Sequence, residues 1–157
     1  MTKNAHGFTI VEILIVIVVI GILASITIVA YNGVQDRASI TRSLSDLSTI
    51  RKGLEIYKST YGNYPTTTDF EWYDSQAHPT DYVPGLAPDI ISKLPTPQYN
   101  SGTQAYMYRS DGTDYKIMAH DGKYRDFCER VREIDPKMIT IRDCWAYGFQ
   151  TEGGYYF

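Results

Sequence analysis

The stretch FTIVEILIVIVVIGILASITIVAY, which runs from Phe8 to Tyr31, decides the fold of this chain. From Ile13 to Ala30 it carries no charged residue, and its only polar side chains are those of Ser25 and Thr27. A helix of about 18 residues reaches about 27 Å, close to the thickness of the hydrocarbon core of a bilayer. The stretch therefore predicts an apolar helix that needs lipid or other apolar helices around it.

A single acidic residue, Glu12, stands at the start of this apolar run. An ionised side chain near the centre of a membrane helix costs about 2.5–3.5 kcal/mol or more and is usually paired. Two interpretations stay open for Glu12. It is an interfacial charge favoured by the positive end of the helix dipole, or it pairs with a cation. If the chain starts at Phe8, the positive α-amino group of a neighbouring subunit supplies that cation, and the pair fixes the register between subunits.

A cleaved secretory signal fits the segment poorly, because the apolar run is long and more apolar sequence follows Ala24 and Ser25. A simple membrane anchor fits apart from Glu12. Lys3 precedes the run, whereas Asp36 and Arg37 follow it, a slight bias that agrees with a cytoplasmic leader and an exported body. The 157 residues suffice for such an anchor and one domain of roughly a hundred residues.

The helix is expected to continue past the apolar run as an amphipathic half. Gly62 after Tyr61, with Pro65 close behind, is a helix stop, so one helix should run from about Phe8 to Tyr61, with a weak point near Asn32-Gly33. This second half requires a sheet or loops packed against it. Its apolar residues recur every three or four positions: Ile40, Leu44, Leu47, Ile50, Leu54, Tyr57 and Tyr61.

The rest of the chain predicts a long connection followed by strands. The connection, residues 64–100, contains one short helical turn at Leu86–Leu94, and a short helix is expected at Asp126–Glu133. The fold class is α+β, a long N-terminal helix packed on an antiparallel sheet of three or four strands. The expected strands are 104–109, 115–120, 138–142 and 144–149, the last of which either extends the third or forms a fourth.

At Gly7, Phe8, Thr9, Glu12 and Gly21, and in the apolar run around them, the chain resembles the type IV pilin family, which includes the type II secretion pseudopilins. The stretch YKSTYGNYPTT, residues 57–67, resembles the end of the long first helix of major pseudopilins and many pilins. In that family a membrane peptidase cuts after the glycine and methylates the new N-terminus. The resemblance implies cleavage between Gly7 and Phe8, N-methylation of Phe8, and assembly through Phe8, Thr9 and Glu12.

The resemblance also implies a domain organisation and a function. Residues 1–7 form a leader peptide, residues 8–31 the transmembrane and assembly helix, and residues 32–157 the globular domain, which includes the amphipathic half 32–61 of a lollipop-shaped subunit. The expected function is that of a structural subunit of a type IV pilus, in adhesion, motility or DNA uptake. The alternative is a type II secretion pseudopilin, and a remote alternative is a membrane-anchored enzyme or binding domain.

The partners implied by the resemblance are further copies of the chain in a helical filament, the prepilin peptidase, an assembly ATPase and an inner-membrane platform protein. The precursor is expected in the inner membrane as a single-pass protein, and the mature chain in an extracellular filament on the cell surface. The net charge of −3 gives nucleic-acid binding no support. Base stacking on exposed aromatic side chains leaves such binding open.

Cys128 and Cys144 are the two cysteines of the chain. In an exported protein two cysteines favour one disulfide, as in many pilins, and two free thiols are the alternative. Closing a loop of this size contributes about 3 kcal/mol in the chain-entropy model.

No metal site, cofactor or catalytic residue is expected, since no Gly-rich phosphate loop, nucleophile elbow or paired catalytic motif occurs. Calcium is the less favoured alternative, because major pseudopilins bind it near the corresponding part of their fold. The spacing of the acidic residues does not match a dense calcium loop, and two of them suit ordinary turns. The candidate ligands are Asp111, Asp114, Asp121 and Asp126.

Overall fold

The structure is a computed structural model that describes residues 8–140 and 144–156. The predicted leader, residues 1–7, and the last two residues of the predicted strand 138–142 lie outside these ranges. Contacts divide the chain after Ala38 into two units, which are described separately. The helices and strands are α1 (Ile10–Tyr61), β1 (Tyr73–Asp74), β2 (Ala105–Ser110), β3 (Tyr115–His120), α2 (Gly122–Ile134) and β4 (Ala146–Gln150).

The first unit contains the apolar part of α1. Its large apolar side chains from Phe8 to Leu23 are between 47% and 86% exposed. A continuous apolar surface of this extent is unfavourable in water, so we expect lipid or another apolar molecule to cover it. Among the described residues, no helix combines the length and the apolar character required to cross a membrane.

In the second unit α1 becomes amphipathic, as its periodicity predicts. Leu47, Ile50 and Leu54 are fully buried in the core. Tyr61 differs from the prediction: it is 53% exposed, and its ring packs on that of Tyr57 with 4.5 Å between centroids. The helix ends at Gly62, whose positive φ of 86° suits glycine and whose N–H donates to the Lys58 carbonyl at 2.8 Å.

The four strands form one antiparallel sheet in the order β1-β2-β3-β4. Tyr106 of β2 lies opposite Ala119 of β3, and Ala119 lies opposite Tyr147 of β4. These three residues belong to the same buried cluster as the apolar face of α1. The α+β prediction, with a helix packed on a small antiparallel sheet, is therefore confirmed.

The prediction of a strand at 138–142 is wrong at its start. Pro136–Met138 is a turn of 3-10 helix, and Ile139 makes only an isolated bridge with Tyr147. The cause lies in the preceding pair of residues: the Asp135 carboxylate accepts the Lys137 N–H at 2.9 Å, and Pro136 fixes the backbone in a helical conformation. β4 overlaps the predicted strand 144–149, and the sheet reaches four strands through the two-residue β1, which the sequence did not predict.

The segment between β1 and β2 contains no regular helix at Leu86–Leu94 but a single turn, in which the N–H groups of Ile90 and Ile91 both donate to the Leu86 carbonyl at 3.1 Å. This turn packs on α1 at Gly53. A Cβ atom at that position would lie 3.2 Å from Ile91 Cγ2. The glycine therefore permits the close approach of the loop to the helix.

Candidate functional site

Two polar residues, Thr9 and Glu12, close the first turn of α1 onto itself. The Thr9 N–H and the Thr9 hydroxyl each donate to Glu12 Oε2 at 2.8 Å, and the Glu12 N–H donates back to Thr9 Oγ1 at 3.2 Å. Because α1 begins at Ile10, Thr9 is the N-cap and Glu12 is the third residue of the helix. This reciprocal arrangement is a capping box. The spacing T-x-x-E is its signal in the sequence, and the sequence reasoning missed it.

Apolar residues flank the capping box. Phe8 precedes the cap and Ile13 is the fourth residue of the helix, the two positions of a hydrophobic staple. Both line an open apolar hollow of about 300 Å³ together with Leu14 and Ile17. The Phe8 side chain is 83% exposed. The start of α1 thus combines a fixed carboxylate with a wide apolar surface.

The structure brings together the three predicted assembly residues, Phe8, Thr9 and Glu12, whereas Gly7 of the predicted cleavage site lies outside the described residues. Thr9 engages one oxygen of the Glu12 carboxylate, Oε2. Within residues 8–140 and 144–156, the other oxygen, Oε1, accepts no hydrogen bond. Chemically, the arrangement offers one carboxylate oxygen of fixed orientation to a cation that approaches over an apolar surface.

The two cysteines form a disulfide that joins α2 to the segment just before β4. Cys128 and Cys144 are both buried, and their Cα atoms are 5.5 Å apart. Cys144 adopts a left-handed backbone conformation with φ of 56°. The bond lies within the hydrophobic core cluster, where its role is structural.

The acidic residues of the β2–β3 turn serve the backbone around them. Asp111 Oδ1 accepts the N–H groups of Thr113 and Asp114, both at 2.8 Å. The Asp114 carboxylate accepts the Gly153 N–H at 3.2 Å, which ties the turn to the C-terminal part of the chain. Both carboxylates therefore accept hydrogen bonds from backbone N–H groups, and these bonds account for their positions in the turn.

The other two candidate calcium ligands lie at the start of α2. Asp121 caps the helix through the Gly122 N–H and accepts a hydrogen bond from the Thr103 hydroxyl. These bonds, the Thr103 bond foremost, hold the pKa of Asp121 below its usual range. Asp126 pairs with Lys123 at 3.7 Å on the exposed surface. Among the described residues, no three His, Cys, Asp or Glu side chains come together as ligands for a metal ion.

A capped apolar helix start with exposed side chains from Phe8 to Leu23, followed by an α+β body, is a pilin-like architecture. Residues 2–28 match the family described as the prokaryotic N-terminal methylation motif. This match and the relatives described below support the assignment of the N-terminal segment to the type IV pilin and pseudopilin family.

Several curated relatives are similar to part of the chain. The type II secretion system core protein G of Escherichia coli (strain K12) is 38% identical over 66 residues, which cover 42% of this chain and 46% of that protein. The core protein G of Dickeya chrysanthemi is 36% identical over 67 residues, 43% of this chain and 44% of its own length. The Aeromonas hydrophila protein is 38% identical over 65 residues, 41% and 46% of the two lengths.

The matched segment therefore spans less than half the length of each of these curated relatives. No solved structure matches the chain.

Proposed function

We propose that this protein is a filament-forming pseudopilin-like subunit, made as a prepilin and assembled through the apolar part of α1. The observation that carries the proposal is the similarity to core protein G of type II secretion systems. The sequence alone led us to expect a type IV pilus subunit, with a type II secretion pseudopilin as the alternative. The similarity to core protein G favours that alternative. The exposed apolar helix and its capped start supply the physical means of assembly.

At the molecular level, the neighbouring subunit's N-terminal amine binds Glu12 Oε1 after the Gly7–Phe8 bond is cut and Phe8 is methylated. Thr9 holds the carboxylate through Oε2, so that the free oxygen faces the incoming amine without a search over rotamers. Apolar surroundings strengthen the attraction between the two charges. Because only one axial stagger brings them together, the pair sets the register of the filament.

The same proposal includes the cellular setting. Residues 1–7 are the leader, residues 8–31 insert into the inner membrane before assembly, and residues 32–157 form the exported body. The prepilin peptidase, an assembly ATPase and an inner-membrane platform protein are the partners that this route requires.

Two substitutions of Glu12 distinguish the effect of its charge on assembly from the effect of the capping box. Glu12→Gln keeps an oxygen that can accept the Thr9 N–H, because glutamine also serves in a capping box, but it removes the charge. Glu12→Val removes both. If the amine–carboxylate pair drives assembly, both variants insert into the membrane and neither forms filaments, as judged by membrane fractionation and by electron microscopy of sheared material.

Normal filaments from Glu12→Gln with none from Glu12→Val would show that the cap alone matters, and the proposed pair would be wrong. Thr9→Ser retains the hydroxyl and the N–H, and it serves as the matched control that should assemble normally.

A second candidate, the type IV pilus subunit, is favoured by the disulfide in the C-terminal part of the domain, since many pilins carry one there. Mass spectrometry of sheared and envelope fractions from the native cells distinguishes the two. A pseudopilin begins at methylated Phe8 and stays in the envelope fraction, whereas a surface pilin is abundant in the sheared fraction. An uncleaved chain in the membrane would contradict both.

A further inference from the structure

A buried tyrosine donates its hydroxyl to a carboxylate inside the second unit. Tyr106 of β2 is fully buried, and its hydroxyl donates to Asp46 Oδ2 of α1 at 2.9 Å. Asp46 is half-buried, so its other side reaches towards solvent. The pair joins the helix to the sheet, and water does not reach the tyrosine ring.

Other tyrosine rings surround Tyr106. Its centroid lies 5.7 Å from that of Tyr124 and 6.5 Å from that of Tyr82. The Tyr124 ring in turn lies 5.7 Å from Tyr99 and 6.2 Å from Tyr147. Tyr99 is half-buried, which gives the cluster an outlet at the surface. Rings at these separations allow an electron vacancy to move from one to the next.

The protonation states favour a coupled loss of electron and proton. Burial raises the pKa of Tyr106 far above its ordinary range, so the phenol stays protonated in the resting protein. Removal of one electron turns a phenol into a strong acid, and its proton must then leave. Burial also raises the pKa of Asp46, which makes the carboxylate a better proton acceptor, while the Tyr106 hydrogen bond and the Arg42 charge favour the ionised form.

We propose that Tyr106 and Asp46 form a redox-active site that gives one electron to a strong one-electron oxidant. The Tyr106 O–H bond breaks as its proton passes to Asp46 Oδ2, the electron leaves through the neighbouring rings to the oxidant, and the products are the Tyr106 phenoxyl radical, a protonated Asp46 and the reduced oxidant. The class of oxidant is a radical or a high-potential metal complex that cannot itself enter the core. This activity is independent of filament assembly.

Other buried tyrosines differ from Tyr106 in the group that accepts their proton. Tyr108 donates to the Pro65 carbonyl at 2.8 Å and Tyr82 to the Pro95 carbonyl at 2.7 Å. A neutral carbonyl is a much weaker base than a carboxylate. Tyr64 does donate to a carboxylate, that of Glu55, at 3.2 Å, but Glu55 is exposed, so water competes for that bond.

The test uses the full chain in detergent micelles with flash-generated ruthenium(III) tris-bipyridine, persulfate as the electron acceptor, and freeze-quench electron paramagnetic resonance. The wild-type protein should give a tyrosyl radical signal. Tyr106→Phe should lose most of that signal, and the matched variant Tyr108→Phe should keep it. Asp46→Asn should lower the rate of radical formation, and Asp46→Glu should restore it.

Circular dichroism establishes that each variant is folded before its signal is compared. Radical formation should also be slower in deuterium oxide, because a proton moves in the same step. An undiminished signal in Tyr106→Phe, a signal lost in Tyr64→Phe instead, or an unchanged rate in folded Asp46→Asn would overturn the proposal.

Discussion

At the scale of single residues, the contact between Ser43 and Tyr147 shows how the proton of one hydroxyl can be assigned. The two oxygens are 2.7 Å apart, and Ser43 also donates to the Ile40 carbonyl at 2.9 Å. A serine hydroxyl has one hydrogen, so Tyr147 must donate to Ser43. Both residues are buried, and Ser43 links the Tyr147 hydroxyl to the backbone of α1 by accepting one hydrogen bond and donating another.

This assignment predicts unequal costs for the two substitutions. Ser43→Ala leaves the buried Tyr147 hydroxyl without an acceptor and should lower the free energy of unfolding by about 1–3 kcal/mol. Tyr147→Phe removes the donor but leaves Ser43 bound to Ile40, so its hydrogen-bond loss should be smaller. Urea unfolding of the full chain in detergent measures both. In the double variant the Ser43 loss should shrink, and strictly additive losses would contradict the assignment.

Gly148 is the residue at which added volume should be tolerated least. A Cβ there would overlap the Ile117 carbonyl and lie 2.6 Å from Met118 Cα, both backbone atoms of β3. Gly148→Ala should therefore destabilise the fold by about 1–3 kcal/mol or more, because the neighbouring strand has to move. Thermal unfolding followed by circular dichroism measures the loss.

Gly33→Ala is the matched control, because no atom lies within 4 Å of its added Cβ and the residue is helical. That variant should be neutral or slightly stabilising, since alanine is favoured over glycine in helices by about 1 kcal/mol. Equal effects of the two substitutions would mean that the close approach at Gly148 is unimportant.

At the scale of elements, local pattern decided how much the sequence could predict. α1 and β3 were predictable because periodicity, the Gly62 stop and the turn at Asp111-Gly112 all act over a few neighbouring residues. β1 was not, since two residues carry no period. The strand expected at 138–142 was wrong at its start because the Asp135-Pro136 pair imposes a turn that outweighs the β-branched residues after it.

The functional residues likewise differ in whether neighbouring residues in the sequence encode their contacts. Phe8, Thr9 and Glu12 were named through the family resemblance, and their capping box is encoded in adjacent residues. Tyr106 and Asp46 are 60 positions apart, so their contact depends on the packing of β2 against α1. No property of either local sequence indicates that the two side chains meet.

The disulfide between α2 and the segment before β4 should stabilise the C-terminal half of the second unit. It closes a loop with a sequence separation of 16. Replacement of both Cys128 and Cys144 by serine should lower the free energy of unfolding by about 3 kcal/mol, since the unfolded chain regains the freedom of that loop. Urea unfolding of the variant and of the wild-type protein, with and without reductant, measures the loss. A variant as stable as the oxidised wild type would contradict this expectation.

At the scale of the whole molecule, Asp46 should make stability depend on pH. Burial raises its pKa in the folded protein above the usual value of 3.8, so the folded state binds this proton more tightly than the unfolded state. The resulting stabilisation is complete below pH 3.8 and is lost as the pH rises through the folded pKa. Arg42, Tyr82, Tyr106 and Tyr124 are the groups that act on this carboxylate or feel its charge.

Asp121 acts in the opposite direction, because its pKa is lowered and its contribution is lost as the pH falls below 3.8. Urea unfolding between about pH 3 and 7, a window that spans the carboxyl range, should show a different slope of stability against pH in Asp46→Asn. Asp126→Asn, at an exposed ion pair, is the control that should follow the wild type. Identical slopes in wild type and Asp46→Asn would exclude this role of the buried carboxylate.

The cluster of tyrosine rings around Tyr106 should also affect the intrinsic fluorescence of the protein. The chain holds 14 tyrosines and only two tryptophans, Trp72 and Trp145. Light absorbed by closely spaced tyrosines passes between the rings and is finally emitted by tryptophan, whose absorption overlaps tyrosine emission. The folded protein should therefore show almost pure tryptophan fluorescence, and the recovery of tyrosine emission will mark the moment at which the rings separate.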